Sequence, residues 1–227
     1  MMVVRRKKGS KIKTYILFIL IVVIGFTIIE NKKFQKRLNE IYLQNQLLGV
    51  NIKRTKVDNI FLITENGSYT LYFVTSNEKE KRIEGLKNIG EISLSTPILI
   101  QKDKYGYVDK YGEIIIPLEY EKATNFKFGI ASVKKNKYGV IDEEGNVLLP
   151  FEYEEMYIGE KRKVIFKKDG KYYISNLKSA KEIDVDKILQ LDCGKLLFKK
   201  DKEFGIIDFS GEILKVNKNP YILKKFE

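Results

Sequence analysis

The sequence predicts an all-β repeat array of three short strands per unit, carried behind one transmembrane helix and a short helical stalk. Three observations predict it. A motif returns about every 33 residues from residue 50 onward, an uncharged apolar run lies near the N-terminus, and the 227 residues contain no His, no Trp and one Cys. The divisions that follow are a basic tail at 1–13, a transmembrane signal anchor at 14–30, a helical linker at 31–49 and a domain of about five repeats at 50–227.

Arg5, Arg6, Lys7, Lys8, Lys11 and Lys13 precede the apolar run with no acid among them. They supply six of the net +12 charges, so 12 − 6 leaves +6 for residues 14–227. Residues 14–29 are uncharged, and with Ile12 they approach the roughly 17–25 residues that span a bilayer. The competing reading is a buried helix or strand, but a β-rich chain has little to cover such a segment on all sides. Lys and Arg stay on the cytoplasmic side, so the expected location is a single-pass cell-membrane protein with its tail inside and its repeats outside. A cleaved signal peptide is the runner-up. Against it, Phe26, Ile28 and Ile29 stand where a small-x-small cleavage site belongs. Phe34, Leu38, Ile41, Tyr42 and Leu48 then recur at helical spacing. They predict a stalk that ends at Gly49 and offers a short seam for a weak homodimer.

The clearest repeats are residues 104–120, Lys-Tyr-Gly-Tyr-Val-Asp-Lys-Tyr-Gly-Glu-Ile-Ile-Ile-Pro-Leu-Glu-Tyr, and residues 137–153, Lys-Tyr-Gly-Val-Ile-Asp-Glu-Glu-Gly-Asn-Val-Leu-Leu-Pro-Phe-Glu-Tyr. A worn copy follows at 204–214, and the anchor aromatics Tyr72, Tyr105, Tyr138, Tyr172 and Phe204 lie 33, 33, 34 and 32 residues apart. A fixed period of this kind specifies a stacked array, in which worn terminal copies act as caps. The array is expected as a twisted solenoid or a small propeller-like closure. Each aromatic is expected in the repeat core, since such a ring buries about 150–250 Å². A row of rings stacking on sugars or bases is the alternative.

Within a unit, Ile130–Lys134, Tyr138–Asp142 and Asn146–Leu149 read as strands rich in Val, Ile and Tyr. Asp109 with Gly112, Asp142 with Gly145, and Asp208 with Gly211 predict turns in which Asp bonds the backbone and Gly takes the left-handed conformation. Three aspartates from separate copies make a poor calcium site, which needs six or more oxygens on one point. Pro117 and Pro150 are expected to end the third strand.

This pattern resembles the WG-repeat (WG containing repeat) family, whose unit runs Gly-Leu-Ala-x-Val, Lys-Trp-Gly-Tyr-Ile-Asp-x-x-Gly, β-branched residues, Pro and Tyr. Phe126, Gly129-Ile130-Ala131, Lys137-Tyr138-Gly139, Asp142, Gly145, Pro150 and Tyr153 carry the resemblance, with Tyr or Phe in place of the signature Trp. The resemblance implies a repeat architecture and no shared catalytic residues.

The absence of His removes the usual general base and the commonest transition-metal ligand. Cys193 has no visible activating partner and cannot form an internal disulfide. It reads as a small buried thiol. The acid pairs Glu143/Glu144 and Glu154/Glu155 read as solvated surface rather than a hydrolase pair. No enzyme, cofactor or metal is therefore expected. Lys and Glu alternate, as in Glu119-Tyr120-Glu121-Lys122, which argues against a nucleic-acid stripe and suits attraction to anionic envelope polymers or lipid headgroups. Richness in Lys, Ile and Asn suggests a bacterial source. The expected function is a membrane-anchored, extracytoplasmic interaction module for a protein, peptide or polysaccharide, binding across residues 104–153 through exposed Tyr and Lys. The alternatives are a glycan hydrolase of the envelope and a structural spacer.

Overall fold

The computed structural model describes residues 9–75, 79–190, 196–201 and 203–217, with the backbone alone for 10–22, 25, 190 and 214–217. The tail at 1–8 and Cys193 lie outside the described residues, as do the side chains of most of the expected anchor. One helix, α1 (Gly9–Leu47), runs unbroken through the segments expected as anchor and stalk for 39 residues, about 58 Å at 1.5 Å per residue. Among the described residues no helix is long and apolar enough to cross a membrane.

Twenty strands follow, forming five separate four-stranded antiparallel sheets, each in chain order and not closed on one another. The first holds β1 (Ile52–Arg54), β2 (Ile60–Glu65), β3 (Ser68–Val74) and β4 (Glu80–Leu86). The second holds β5 (Asn88–Ile89), β6 (Ile98–Gln101), β7 (Tyr105–Val108) and β8 (Ile114–Tyr120). The third holds β9 (Lys122–Ala123), β10 (Ile130–Lys135), β11 (Lys137–Asp142) and β12 (Val147–Tyr153). The fourth holds β13 (Glu155–Ile158), β14 (Val164–Lys168), β15 (Lys171–Ser175) and β16 (Ala180–Ile183). The fifth holds β17 (Lys187–Gln190), β18 (Leu196–Lys200), β19 (Glu203–Ile207) and β20 (Ile213–Asn217). The unit therefore has four strands, not three. The missed strand is the first of each sheet, which at β5 and β9 is only two residues long. So short a strand has no alternation to read.

The core lies between sheets. Leu71 and Phe73 of the first meet Ile98, Ile100 and Val108 of the second. Tyr107, Ile116 and Tyr120 meet Ala131, Val133 and Ile141 of the third. Val140 and Tyr153 meet Val164 and Phe166 of the fourth, and Ile165 and Tyr172 meet Leu196, Phe198 and Ile207 of the fifth. The outer face of the first sheet is covered by α1, where Leu38 and Ile41 are buried on Phe61, Ile63 and Tyr72, with Phe34 and Tyr42 alongside. The residues read as a free stalk with a dimer seam are thus a cap on the array, because amphipathic spacing shows a face but not its partner.

The anchor aromatics follow the hairpins. Tyr105, Tyr138, Tyr172 and Phe204 are each the first or second residue of the third strand, just beyond its hairpin, opposite Gln101, Lys134, Lys167 and Lys199. The matching residue of the first sheet is Tyr69, opposite Thr64, and not Tyr72. Tyr69, Tyr105, Tyr138 and Tyr172 all pack toward the following sheet, whereas Tyr72 faces α1. A slip of three residues reverses the face of a strand. Tyr172 and Phe204 are buried, but Tyr105 and Tyr138 are only half-buried.

Gly106 and Gly139 follow two of these aromatics for a steric reason. Between Tyr105 and Tyr107, and between Tyr138 and Val140, the pairing slips across a bulge in the fourth strand at Pro117 and Pro150, where no ladder donor is needed. A Cβ on Gly106 would stand 2.7 Å from the carbonyl oxygens of Ile116 and Pro117. The fourth sheet has Tyr173 in place of the glycine, has no such proline, and pairs regularly through Tyr172–Ile183, Tyr173–Glu182 and Ile174–Lys181.

Candidate functional site

Antiparallel register gives the array two loop-bearing rims. One carries the second-to-third-strand hairpins and the connections between sheets. The other carries the first-to-second-strand loops and the third-to-fourth-strand turns.

On the hairpin rim, acids and lysines repeat as a lattice. Lys135 pairs with Glu119 at 2.7 Å and Lys168 with Glu152 at 2.7 Å, and Lys200 pairs with Asp184 in the same way. Two residues further on, Glu121 accepts the Asn136 N–H at 3.1 Å, Glu154 the Gly170 N–H at 3.4 Å and Asp186 the Asp201 N–H at 2.5 Å. Each acid pair brackets a buried Tyr120, Tyr153 or Val185, so alternation along an extended chain sends the acids out and the apolar residue in. The Lys168 ammonium holds the Glu152 carboxyl below its usual range, and the Asn136 N–H does the same for Glu121. Lys135 also lies 5.2 Å from the Tyr120 ring and 5.4 Å from that of Phe151. These exposed pairs are each worth little, about 0–1 kcal/mol. They engage one lysine from each of three successive units, Lys135, Lys168 and Lys200.

Glu155 is not solvated surface. Its Oε2 accepts the phenol protons of Tyr157 at 2.8 Å and Tyr172 at 2.7 Å, and Lys167 lies 3.7 Å from Oε1. The Ile188 N–H reaches the Tyr172 oxygen at 3.3 Å, so the cluster ties the fourth sheet to the fifth. Burial, reinforced by the Glu155 bond, raises both phenols well above their ordinary value. Tyr107 makes the corresponding tie between the second and third sheets by donating to Thr124 O at 2.7 Å.

On the turn rim, the three predicted aspartates close three equivalent turns. Asp109 Oδ1 accepts the N–H groups of Tyr111 and Glu113, both at 2.8 Å. Asp142 accepts those of Glu144 and Asn146 at 3.2 and 2.7 Å, and Asp208 those of Ser210 and Glu212 at 2.7 and 3.0 Å. Gly112, Gly145 and Gly211 take φ values of 80°, 86° and 82°, which a side chain would strain. Burial raises the Asp142 carboxyl, but the Asn146 side chain and the two N–H groups outweigh it and leave it below its usual range. Asp208 behaves alike, with Ser210 and Glu212 as donors. Among the described residues no three potential metal ligands converge.

This rim also exposes apolar groups. Ile114, Val147 and Ile213, at equivalent starts of the fourth strand, are 59%, 54% and 51% exposed. Phe128 projects from a tight turn with φ of 54°, a backbone that bulky residues rarely adopt. Tyr111 is exposed beside Lys110. Of the tyrosines on 104–153 expected as exposed contacts, only Tyr111 is exposed; Tyr107, Tyr120 and Tyr153 are buried and Tyr105 and Tyr138 half-buried. The acid–apolar–acid triplets at 119–121, 152–154 and 184–186 went unread, although their spacing of 33 and 32 residues marks them.

The sequence profile of the WG containing repeat matches residues 105–137 and 138–172. Each match begins at the third strand of one sheet and ends at or just inside the third strand of the next, so the sequence unit straddles two sheets. No curated protein matches the chain. Among solved structures, Hsv2 of Kluyveromyces lactis superposes with a TM-score of 0.48 at 8% identity, over 74% of this chain and 62% of that one. The chain thus spans less than two thirds of the length of that relative. PorZ, a surface component of the type-IX secretion system of Porphyromonas gingivalis, gives 0.41 at 11% identity over 73% and 27%. The WD40 domain of SCAP from fission yeast gives 0.37 at 12% over 74% and 55%. Residues 105–137 and 138–172 are thus two adjacent copies of the WG containing repeat.

Proposed function

We propose that this chain is a non-catalytic interaction module of a bacterial envelope, anchored through α1 and displayed outside the cell membrane. The contrast between the rims carries the reading. On the hairpin rim the repeated lysines Lys135, Lys168 and Lys200 are spent on Glu119, Glu152 and Asp184, and the aspartates of the turn rim are spent on their own turns. The turn rim keeps Phe128, Tyr111, Ile114 and Val147 open to a partner, and these come from successive sheets, as a groove in a repeat array requires.

The anchor is supported by the two ends of α1. Leu38 and Ile41 are buried on the first sheet, while Val23, Ile24, Phe26, Ile28 and Ile29 stand uncovered. Together with the apolar sequence of 14–22, such a surface needs lipid. The paired lysines leave no continuous basic stripe for nucleic acid. The test is co-sedimentation of the full chain, in detergent micelles, with isolated cell-wall material. Saturable retention without release of soluble fragments is expected. Turnover of the wall, abolished by changing one carboxylate, would overturn the non-catalytic reading, and no retention would overturn the module.

A further inference from the structure

The repeat breaks its own pattern in the fourth sheet, and a cleft opens there. Asn176 stands where the second, third and fifth sheets carry the turn aspartate, four residues after the anchor aromatic. Its turn is one residue shorter. Asn176 Oδ1 accepts the N–H groups of Lys178 at 3.0 Å and Ser179 at 2.9 Å. The carboxylate of the other turns is therefore absent, and the amide Nδ2 has no acceptor among the described residues. Beside it lies an open cleft of about 220 Å³ between the fourth and fifth sheets, walled by Ile174 and Phe209 and flanked by Lys163 and Lys181. Neither lysine forms an ion pair among the described residues, unlike the repeated lysines of the hairpin rim. The Asp208 carboxylate feels the charge of Lys163 and has its Oδ1 occupied by the Ser210 N–H and hydroxyl and by the Glu212 N–H.

We propose that this cleft binds a phosphate group carried by a larger molecule. Two ammonium groups and a free amide present donors to the cleft, and the one acid whose charge acts on Lys163, Asp208, is turned mainly to its own turn. Lysine binds phosphate as a point charge, without the planar fork by which arginine grips either a carboxylate or a phosphate. The cleft is smaller than the roughly 300–1,000 Å³ of a site that encloses a whole ligand, so it grips one group and leaves the rest of the molecule on the turn rim. The identity of that larger molecule as an envelope component rests on the interaction-module reading. The phosphate site itself does not.

The test uses the full chain in detergent micelles. Inorganic phosphate, titrated against amide chemical shifts, should move Asn176 and Ser179 saturably. The double variant Lys163→Gln/Lys181→Gln should weaken this at least tenfold, and Lys110→Gln/Lys127→Gln on the same rim should leave it unchanged. Shifts spread over all lysines, or indifferent to the first pair, would overturn the site. A glycerol phosphate oligomer and phosphatidylglycerol vesicles then separate the sources: the one whose binding falls with Lys163→Gln/Lys181→Gln supplies the phosphate. Wall retention with equal strength by that variant, together with no response to phosphate, overturns the cleft and leaves the module standing. A phosphate response with no retention of wall, oligomer or vesicles does the reverse.

Discussion

Gly139→Ala tests whether the Tyr-Gly pair exists to admit the bulge of the neighbouring strand. The added Cβ would stand 2.9 Å from Leu149 O and 3.0 Å from the Phe151 ring. The ring can pivot, but the carbonyl is held by the pairing of Val140 with Leu149 and Tyr138 with Tyr153. Overpacking of this kind costs about 1–3 kcal/mol. Loss of glycine freedom in the unfolded chain returns about 0.4–1 kcal/mol, which leaves a net destabilisation of about 1–2 kcal/mol. At about 2–4 °C per kcal/mol for a domain of this size, the melting temperature should fall by about 2–8 °C. A repeat array can open one sheet at a time, so the scan is paired with hydrogen exchange. The amides of Val133 and Ile141 in the third sheet should lose protection before those of Phe198 and Ile206 in the fifth. A rise in melting temperature would refute the reasoning, because it would mean that the position had room and that only chain entropy mattered.

Leu38→Ala should destabilise the chain by about 2–5 kcal/mol, as truncation of a buried leucine does, and should selectively expose the first sheet to exchange around Phe61; an effect below 0.5 kcal/mol would mean that α1 does not cap the array. Asp142 and Asp208 have folded-state values below their unfolded ones. Their contribution is therefore complete above the unfolded value of about 3.9 and is lost as pH falls through the lower folded values. The stability gap between the native chain and Asp142→Ala, measured by urea unfolding, should shrink between pH 7 and pH 3, and a gap that widens would contradict this sign.

The turns were readable because Asp, Gly and their spacing act within five residues of chain. The period was readable because the aromatics recur whatever their depth of burial. Tyr72 shows the limit: it satisfied the spacing, but only pairing partners show that Tyr69 holds the equivalent place on the opposite face. The two-residue strands β5 and β9 carry no pattern of their own and exist through their neighbours. Phe34, Leu38, Ile41 and Tyr42 announced an apolar face, yet nothing local names the first sheet as its partner. The cleft at Asn176 was hidden for the opposite reason, since it arises where the repeat fails and a periodic reading passes over it.

Display outside the membrane is tested most directly by labelling intact cells. With Cys193→Ser as background, Lys110→Cys places a single thiol on the exposed turn of the second sheet. A membrane-impermeant maleimide should label it on intact cells as fully as after lysis. Labelling that appears only after lysis would place the repeats inside and contradict the account.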